Sequence, residues 1–176
     1  LPHAAKKTAV NTAATPAQIA WLYRVKQMAT EILARPYSKQ ALLAALPKLK
    51  ALAVSPEGVA QVPRILAECG IRFVVVETLP AAKIDGVCFW LNPNAPVIGL
   101  TLRFDRIDNF WFVLRHEIEH VLQGHGMSSV VLDAGLEGEK AGTGPDVNEE
   151  ERQANRAAQD FLVPTHQMDA FIARKA

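Results

Sequence analysis

The sequence predicts an α+β fold. Apolar residues recur at helical spacing over 15–70 and again over 108–163, and the block between them, 71–102, is rich in β-branched and aromatic residues broken by two tight turns. N-terminal helices, a small three-stranded sheet and two further helices bury their apolar faces only by packing on one another. At 176 residues the chain has the length of one domain. Its 49% apolar and 21% charged residues exclude a wholly disordered chain, a collagen-like repeat and a disulfide miniprotein.

The elements follow in order. Residues 1–14, rich in Ala, Lys, Thr and Asn, read as a linker or disordered tail, and 15–176 as a single domain that includes the N-terminal helices. Thr15 supplies an N-cap and Pro16 a first helical position. Ile19, Trp21, Leu22, Val25 and Met28 then carry a helix to about residue 33. Ser38 caps a second helix with Leu42, Leu43, Leu46 and Leu49 on its apolar face, and Pro47 should kink or split it. Ser55 and Pro56 open a third helix that Gly70 stops. The strands are 71–77, 86–91 and 96–102, with turns at Asp85-Gly86 and Asn92-Pro93-Asn94; the short connection favours antiparallel pairing of the last two. A helix over 108–123, with Asp108 as its N-cap, precedes a polar, glycine-rich stretch over 124–148. A last long helix over 149–163 ends before Pro164, and a short helix closes the chain.

Nineteen basic and 18 acidic residues leave a net charge of +1, which argues against an extensive nucleic-acid surface on this chain. Cys69 and Cys88 sit in apolar stretches and read as buried, reduced thiols. No run of apolar residues is long enough to span a membrane, and the first residues lack the apolar core of a signal peptide. The chain begins at Leu1 and not at a methionine, which reads as a fragment or a processed form.

The chemistry is carried by His116-Glu117-Ile118-Glu119-His120, an HExxH motif inside the apolar-periodic helix. Residues four apart lie one above the other on a helix, so both imidazoles can reach one metal ion; zinc accepts such nitrogens at about 2.0–2.1 Å. Glu117 points about 100° around the helix from His116. There it can serve as general base toward a metal-activated water without being a ligand.

A catalytic zinc needs a third protein ligand. His125 is out of register for HExxHxxGxxH, where Gly126 stands in place of the last histidine, and reads as a loop residue at the rim. The acidic run Glu149, Glu150 and Glu151 is the better source. Extending the stripe Ala154, Ala157, Ala158, Phe161 and Leu162 backward reaches Glu150 and Glu151, and periodicity does not separate these two. Asn155 is a candidate supporting residue. Asp105, Arg106 and Asp108 are candidate cleft residues, Trp90 and Trp111 read as core, and His125 or His166 is a candidate for stabilising an oxyanion.

The segments RIDNFWFVLRHEIEHVL and ERQANRAAQDFLVP resemble the ImmA/IrrE family of zinc metallopeptidases, with its HELGH-like helix followed by E-x-x-A-N-x-x-A and Leu-x-Pro. The resemblance covers about 56–170. It implies a gluzincin-like unit in which His116, His120 and Glu151 hold Zn2+ and Glu117 is the base. The stretch IDGVCFWLNPNAPVIGLTLRFDRIDNFWF is similar to members fused to an XRE-type helix-turn-helix. The resemblance thus implies a cytoplasmic bacterial regulatory protease whose protein substrate is a repressor or antitoxin-like protein. Two positions depart from the family pattern: Arg115 stands where a small residue is usual and Glu119 where glycine is usual. Glu119 either hydrogen-bonds or faces solvent, and Arg115 either orients substrate or lies on the surface. A zinc endopeptidase is one functional expectation. The other is a non-hydrolytic sensor or effector domain of an XRE-type regulator, with the DNA-binding part upstream.

Overall fold

Alternation along the central strands sets the architecture. In β3 (Gly86–Trp90), Val87 and Phe89 project to one face and Cys88 to the other; in β4 (Pro96–Leu100), Val97 opposes Ile98 and Leu100. Both strands are buried almost throughout because helices cover both faces of the sheet, as period-2 strands with two apolar faces require. The computed structural model describes residues 5–6, 14–102, 105–133, 136 and 148–163.

One face is covered by α1 (Pro16–Glu31), whose Trp21, Val25 and Ala29 pack with Val74, Val87, Phe89, Val97 and Leu132. Thr15 and Gln18 close this helix with a reciprocal capping box. The other face is covered by α2 (Lys39–Leu52), α3 (Val62–Glu68) and α4 (Ile107–Gln123), with Leu42, Leu49, Leu66, Ile98, Leu100, Trp111, Leu114 and Ile118 at the centre. The last helix, α5 (Glu149–Leu162), packs along α4.

The sheet has five strands among the described residues, where the sequence predicted three. Their order is β1-β5-β3-β4-β2, with β2 being Arg72–Val75, β5 Val131–Asp133 and β1 Ala5–Lys6. The β3–β4 pair is antiparallel, as expected, and β2 joins β4 in parallel. The two strands not foreseen, one of three residues and one of two, are too short to leave an alternation pattern. The latter lies inside the stretch read as a tail, and its backbone pairs in parallel with Val131 and Leu132.

Other differences are local. Pro47 does not split α2, which runs unbroken from Lys39 to Leu52. Pro47 and Leu43, whose carbonyl loses its helical partner, are both on the exposed face, where water satisfies the carbonyl. The third helix begins as a 3₁₀ segment, Pro56–Gln61, before α3. The N-cap of α4 is Arg106, not Asp108; Asp108 lies in the first turn and pairs with Arg106, and both are exposed. Cys69 and Cys88 are buried free thiols. The closing helix, His166 and most of 1–14 lie outside the described residues. No helix of the described residues is long and apolar enough to cross a membrane.

Candidate metal centre

The helix α4 carries its histidines against the sheet. His116, Glu117 and His120 are all fully buried, and His116 Nε2 lies 3.0 Å from His120 Nε2, as an i, i+4 pair on one helix face permits. From α5, Glu151 places Oε2 3.4 Å from His116 Nε2 and Oε1 3.6 Å from His120 Nε2. The buried face of α5 is Glu151, Ala154, Asn155 and Ala158, which selects Glu151 over Glu150. Asn148 caps this helix by accepting from the Glu151 N–H at 2.9 Å, and three acidic residues in its first turn suit the helix dipole.

A fourth donor comes from a residue the sequence reading passed over. Asp133 ends β5 and pairs with Gly86 of β3. Val131 packs on the α4 side of the sheet and Leu132 on the α1 side, so alternation returns Asp133 to the α4 side. Its Oδ2 lies 3.6 Å from His116 Nε2 and 3.8 Å from His120 Nε2. The ligand atoms of His116, His120, Asp133 and Glu151 all lie within 4.8 Å of one another. The only signal in the sequence is a short apolar run, Val130-Val131-Leu132, ending in a carboxylate.

Each imidazole is held from behind. Asn155 Oδ1 lies 3.0 Å from His116 Nδ1. An amide oxygen only accepts, so Nδ1 carries the proton and Nε2 faces the other donors. His120 Nδ1 lies 2.9 Å from His125 Nδ1. His125 follows the left-handed Gly124, which ends α4, and precedes Gly126, another positive-φ glycine. Any Cβ at Gly126 would come within 2.7 Å of the Cys88 carbonyl oxygen. The backbone carbonyl of His125 accepts from Trp90 Nε1 at 2.8 Å, which fixes the loop on β3. Trp90 is therefore a half-buried anchor of this loop as well as a core neighbour. Nothing in the structure assigns a site role to Asp105, Arg106 or Asp108.

The two departures from the family pattern pair with each other. Arg115 Nη2 donates to Glu119 Oε2 at 2.8 Å, and Gln123 Nε2 donates to Glu119 Oε1 at 2.7 Å. Both side chains are largely buried, so neither the solvent-facing glutamate nor the surface arginine is found.

The electrostatics call for a cation. Three carboxyl groups, Glu117, Asp133 and Glu151, are buried around two imidazoles. Asp133 Oδ2, Glu151 Oε1 and both oxygens of Glu117 have no hydrogen-bond partner, although buried acceptors are normally paired. Burial and then the Asp133 carboxylate push Glu117 well above the usual carboxylate range. Glu151 is raised by the same two causes in the same order. Burial lowers His116, but the neighbouring Asp133 and Glu151 carboxylates outweigh it and raise the imidazole to about 9. For Asp133 the opposing terms run the other way. Burial raises it, yet the adjacent His116 imidazole, with His120 behind it, wins and holds it at about 2. The unpaired Asp133 and Glu151 oxygens and the two histidine Nε2 atoms, all within reach of one point, fit a divalent cation that would satisfy those oxygens.

A model of the IrrE N-terminal-like domain, a peptidase family, matches residues 69–176. The chain belongs to this family. No curated protein and no solved structure matches it. The matched span takes in α4, Asp133 and α5, so the whole donor cluster falls inside the protease-like domain, while α1 and α2 precede it.

Proposed function

We propose that the chain is a zinc-dependent endopeptidase in which His116, His120 and Glu151 hold the ion and Glu117 is the general base. One observation carries this reading: two histidine Nε2 atoms and a glutamate carboxylate from a second helix converge, buried, with distances of 3.0, 3.4 and 3.6 Å between them. Two imidazoles and a carboxylate are a donor set suited to zinc. When bound, such an ion supplies Lewis acidity, polarising a carbonyl and acidifying water.

The residues supply the rest. Asn155 and His125 keep both rings turned inward. Glu117, next along the helix from His116, is fully buried and its carboxyl holds a proton readily in the metal-free protein. Positive charge in the cluster would offset the repulsion from Asp133 and Glu151 and return Glu117 toward the ordinary range. There an Oε atom can take a proton from an attacking water and pass it to the leaving amine. Family membership supports a peptide as the substrate. The sequence resemblance to XRE-linked members supports a regulatory protein, of the repressor or antitoxin kind, and a cytoplasmic setting.

The test is metal content together with cleavage. Wild type and Glu117→Gln should each hold one zinc per chain by mass spectrometry, Glu151→Gln should hold much less, and only wild type should cleave a co-encoded repressor. Zinc retained undiminished by Glu151→Gln would sink the ligand assignment. A second reading, a metal centre that binds without hydrolysis, is favoured by one specific feature, the presence of Asp133 as a fourth buried donor.

A further inference from the structure

Asp133 occupies a particular corner of the cluster. Five donor separations describe the site: 3.0 Å between the histidine Nε2 atoms, 3.4 and 3.6 Å from these to Glu151, and 3.6 and 3.8 Å from these to Asp133 Oδ2. Four donors at about 2.0 Å from a tetrahedral zinc stand about 3.3 Å apart. The five separations, two of them to different Glu151 oxygens, lie close to that spacing, and the four ligand atoms all fall within 4.8 Å of one another. Asp133 Oδ2 also lacks any hydrogen-bond partner, which a carboxylate present only for structure would have.

The backbone holds Asp133 in that corner. Its carbonyl accepts from the Asp85 N–H at 2.9 Å, and Asp85 Oδ2 accepts from the Leu136 N–H at 2.9 Å. Asp85, itself buried, thereby grips the chain on both sides of residues 134–135. The pairing of Gly86 with Asp133 fixes the register on β3. An aspartate side chain is short, so its carboxylate leaves the cluster by rotating about χ1 or by a shift of β5 along or away from β3.

We infer that Asp133 is a fourth metal ligand that closes the centre most of the time, so that the zinc-loaded chain is a latent peptidase with a low basal rate of cleavage. Zinc sites with four protein ligands are structural, and catalytic ones keep a position open. Latency rests on the peptidase reading; the ligand assignment does not. Activation then consists of moving the Asp133 carboxylate off the ion, by side-chain rotation or by a shift of the three-residue β5, which frees a coordination position beside Glu117.

The experiment uses the protein loaded with Co2+ or Zn2+ and acetohydroxamate as a probe that binds only where coordination positions are free. The visible Co2+ spectrum of wild type should not respond to acetohydroxamate. Those of Asp133→Ala and Asp133→Asn should shift and saturate. Zinc affinity, measured by competition with a chromophoric chelator, should fall at least about tenfold in both variants, the lower bound for even an indirect partner of a ligand. Asp133→Asn keeps the size of the side chain and guards against misfolding, which unfolding curves of the metal-free proteins would show. At saturating zinc, Asp133→Ala should cleave an unfolded protein substrate at least about tenfold faster than wild type, the factor of one lost coordination barrier of about 1.4 kcal/mol. Equal zinc affinity and equal acetohydroxamate response in wild type and variants would overturn the ligand assignment. Wild type cleaving faster than Asp133→Ala would overturn latency. If the variants open to acetohydroxamate but none cleaves, the fourth ligand stands and the peptidase reading falls.

Discussion

Asn155 Oδ1 lies 3.0 Å from His116 Nδ1, so α5 supplies both a carboxylate to the cluster and, one turn later, the group that orients a histidine of α4. Both come from the same buried stripe, which is why Glu151 and Asn155 are one helical turn apart. Removing the acceptor leaves the ring free to rotate or change tautomer. Asn155→Ala should therefore weaken zinc binding by about 10–100-fold. Asn155→Asp keeps an acceptor in place and should restore most of that affinity. Chelator competition on the two variants decides it: equal losses would mean that Asn155 acts by packing alone.

Gly86 is the residue that makes room for Glu117. A Cβ at position 86 would lie 2.0 Å from Glu117 Oε1 and 2.8 Å from its Cδ. Since Glu117 is fully buried, its carboxyl has little space to retreat. Gly86→Ala should cost about 1–3 kcal/mol by overpacking and lower cleavage by about 10²–10⁴-fold, the usual worth of a displaced general base, while zinc content stays at one per chain. Shortening the glutamate relieves the clash, so adding Glu117→Asp should recover stability in thermal unfolding. If Gly86→Ala cleaves like wild type, the contact between these two residues has no bearing on the base.

The legibility of this site in the sequence follows from the length scale of each signal. His116, Glu117 and His120 occupy one helix, and a fixed spacing on a 3.6-residue period shows which of them share a face. Glu151 was separable from Glu149 by the same period but not from Glu150, because stripe edges blur by one residue; burial in the fold separates them. Asp133 was out of reach. It owes its position to pairing with Gly86, 47 positions away by subtraction of the two residue numbers, through a strand too short to show alternation. The three strands of the central block were visible because β-branched runs need no partner to be recognised, whereas β1 and β5 are strands only by virtue of their neighbours. Burial of the Arg115–Glu119 pair was likewise invisible, since an i, i+4 ion pair looks the same in sequence on a wet face and a covered one.

His125 and Glu150 extend the support of His120 outward. His125 Nδ1 meets His120 Nδ1 at 2.9 Å, and His125 Nε2 lies 3.6 Å from Glu150 Oε1. The inner contact is largely buried, but Glu150 is 43% exposed at its side chain, and water screens an ion pair there to about 0–1 kcal/mol. His125→Ala should thus weaken zinc binding by about 10-fold or more, and Glu150→Gln by no more than about 5-fold. Zinc titrations of the two variants test this order. A larger loss from Glu150→Gln would mean that Glu150, not His125, is the residue that matters beside His120.

Protonation of the cluster should couple zinc binding to pH. His116 titrates at about 9 in the metal-free fold, against about 6.5 when unfolded. A raised pKa contributes stability that is complete below about 6.5 and is lost as pH rises through about 9. Glu117 and Glu151, also raised, act with the same sign. Asp133, held at about 2, acts with the opposite sign, and only in acid below about 3.9. The metal-free protein should therefore lose thermal stability as pH rises above about 4.3, through the two raised glutamates, and further from about pH 6.5 to about pH 9, through His116. Zinc binds neutral imidazole, so near neutral pH it must displace the His116 proton, and its affinity should rise about tenfold per pH unit over the same window. Calorimetric titration with Zn2+ in two buffers of different ionisation enthalpy should report release of at least one proton at neutral pH. A zinc affinity independent of pH across this window, with no proton released, would show that the imidazole is already neutral before the ion arrives.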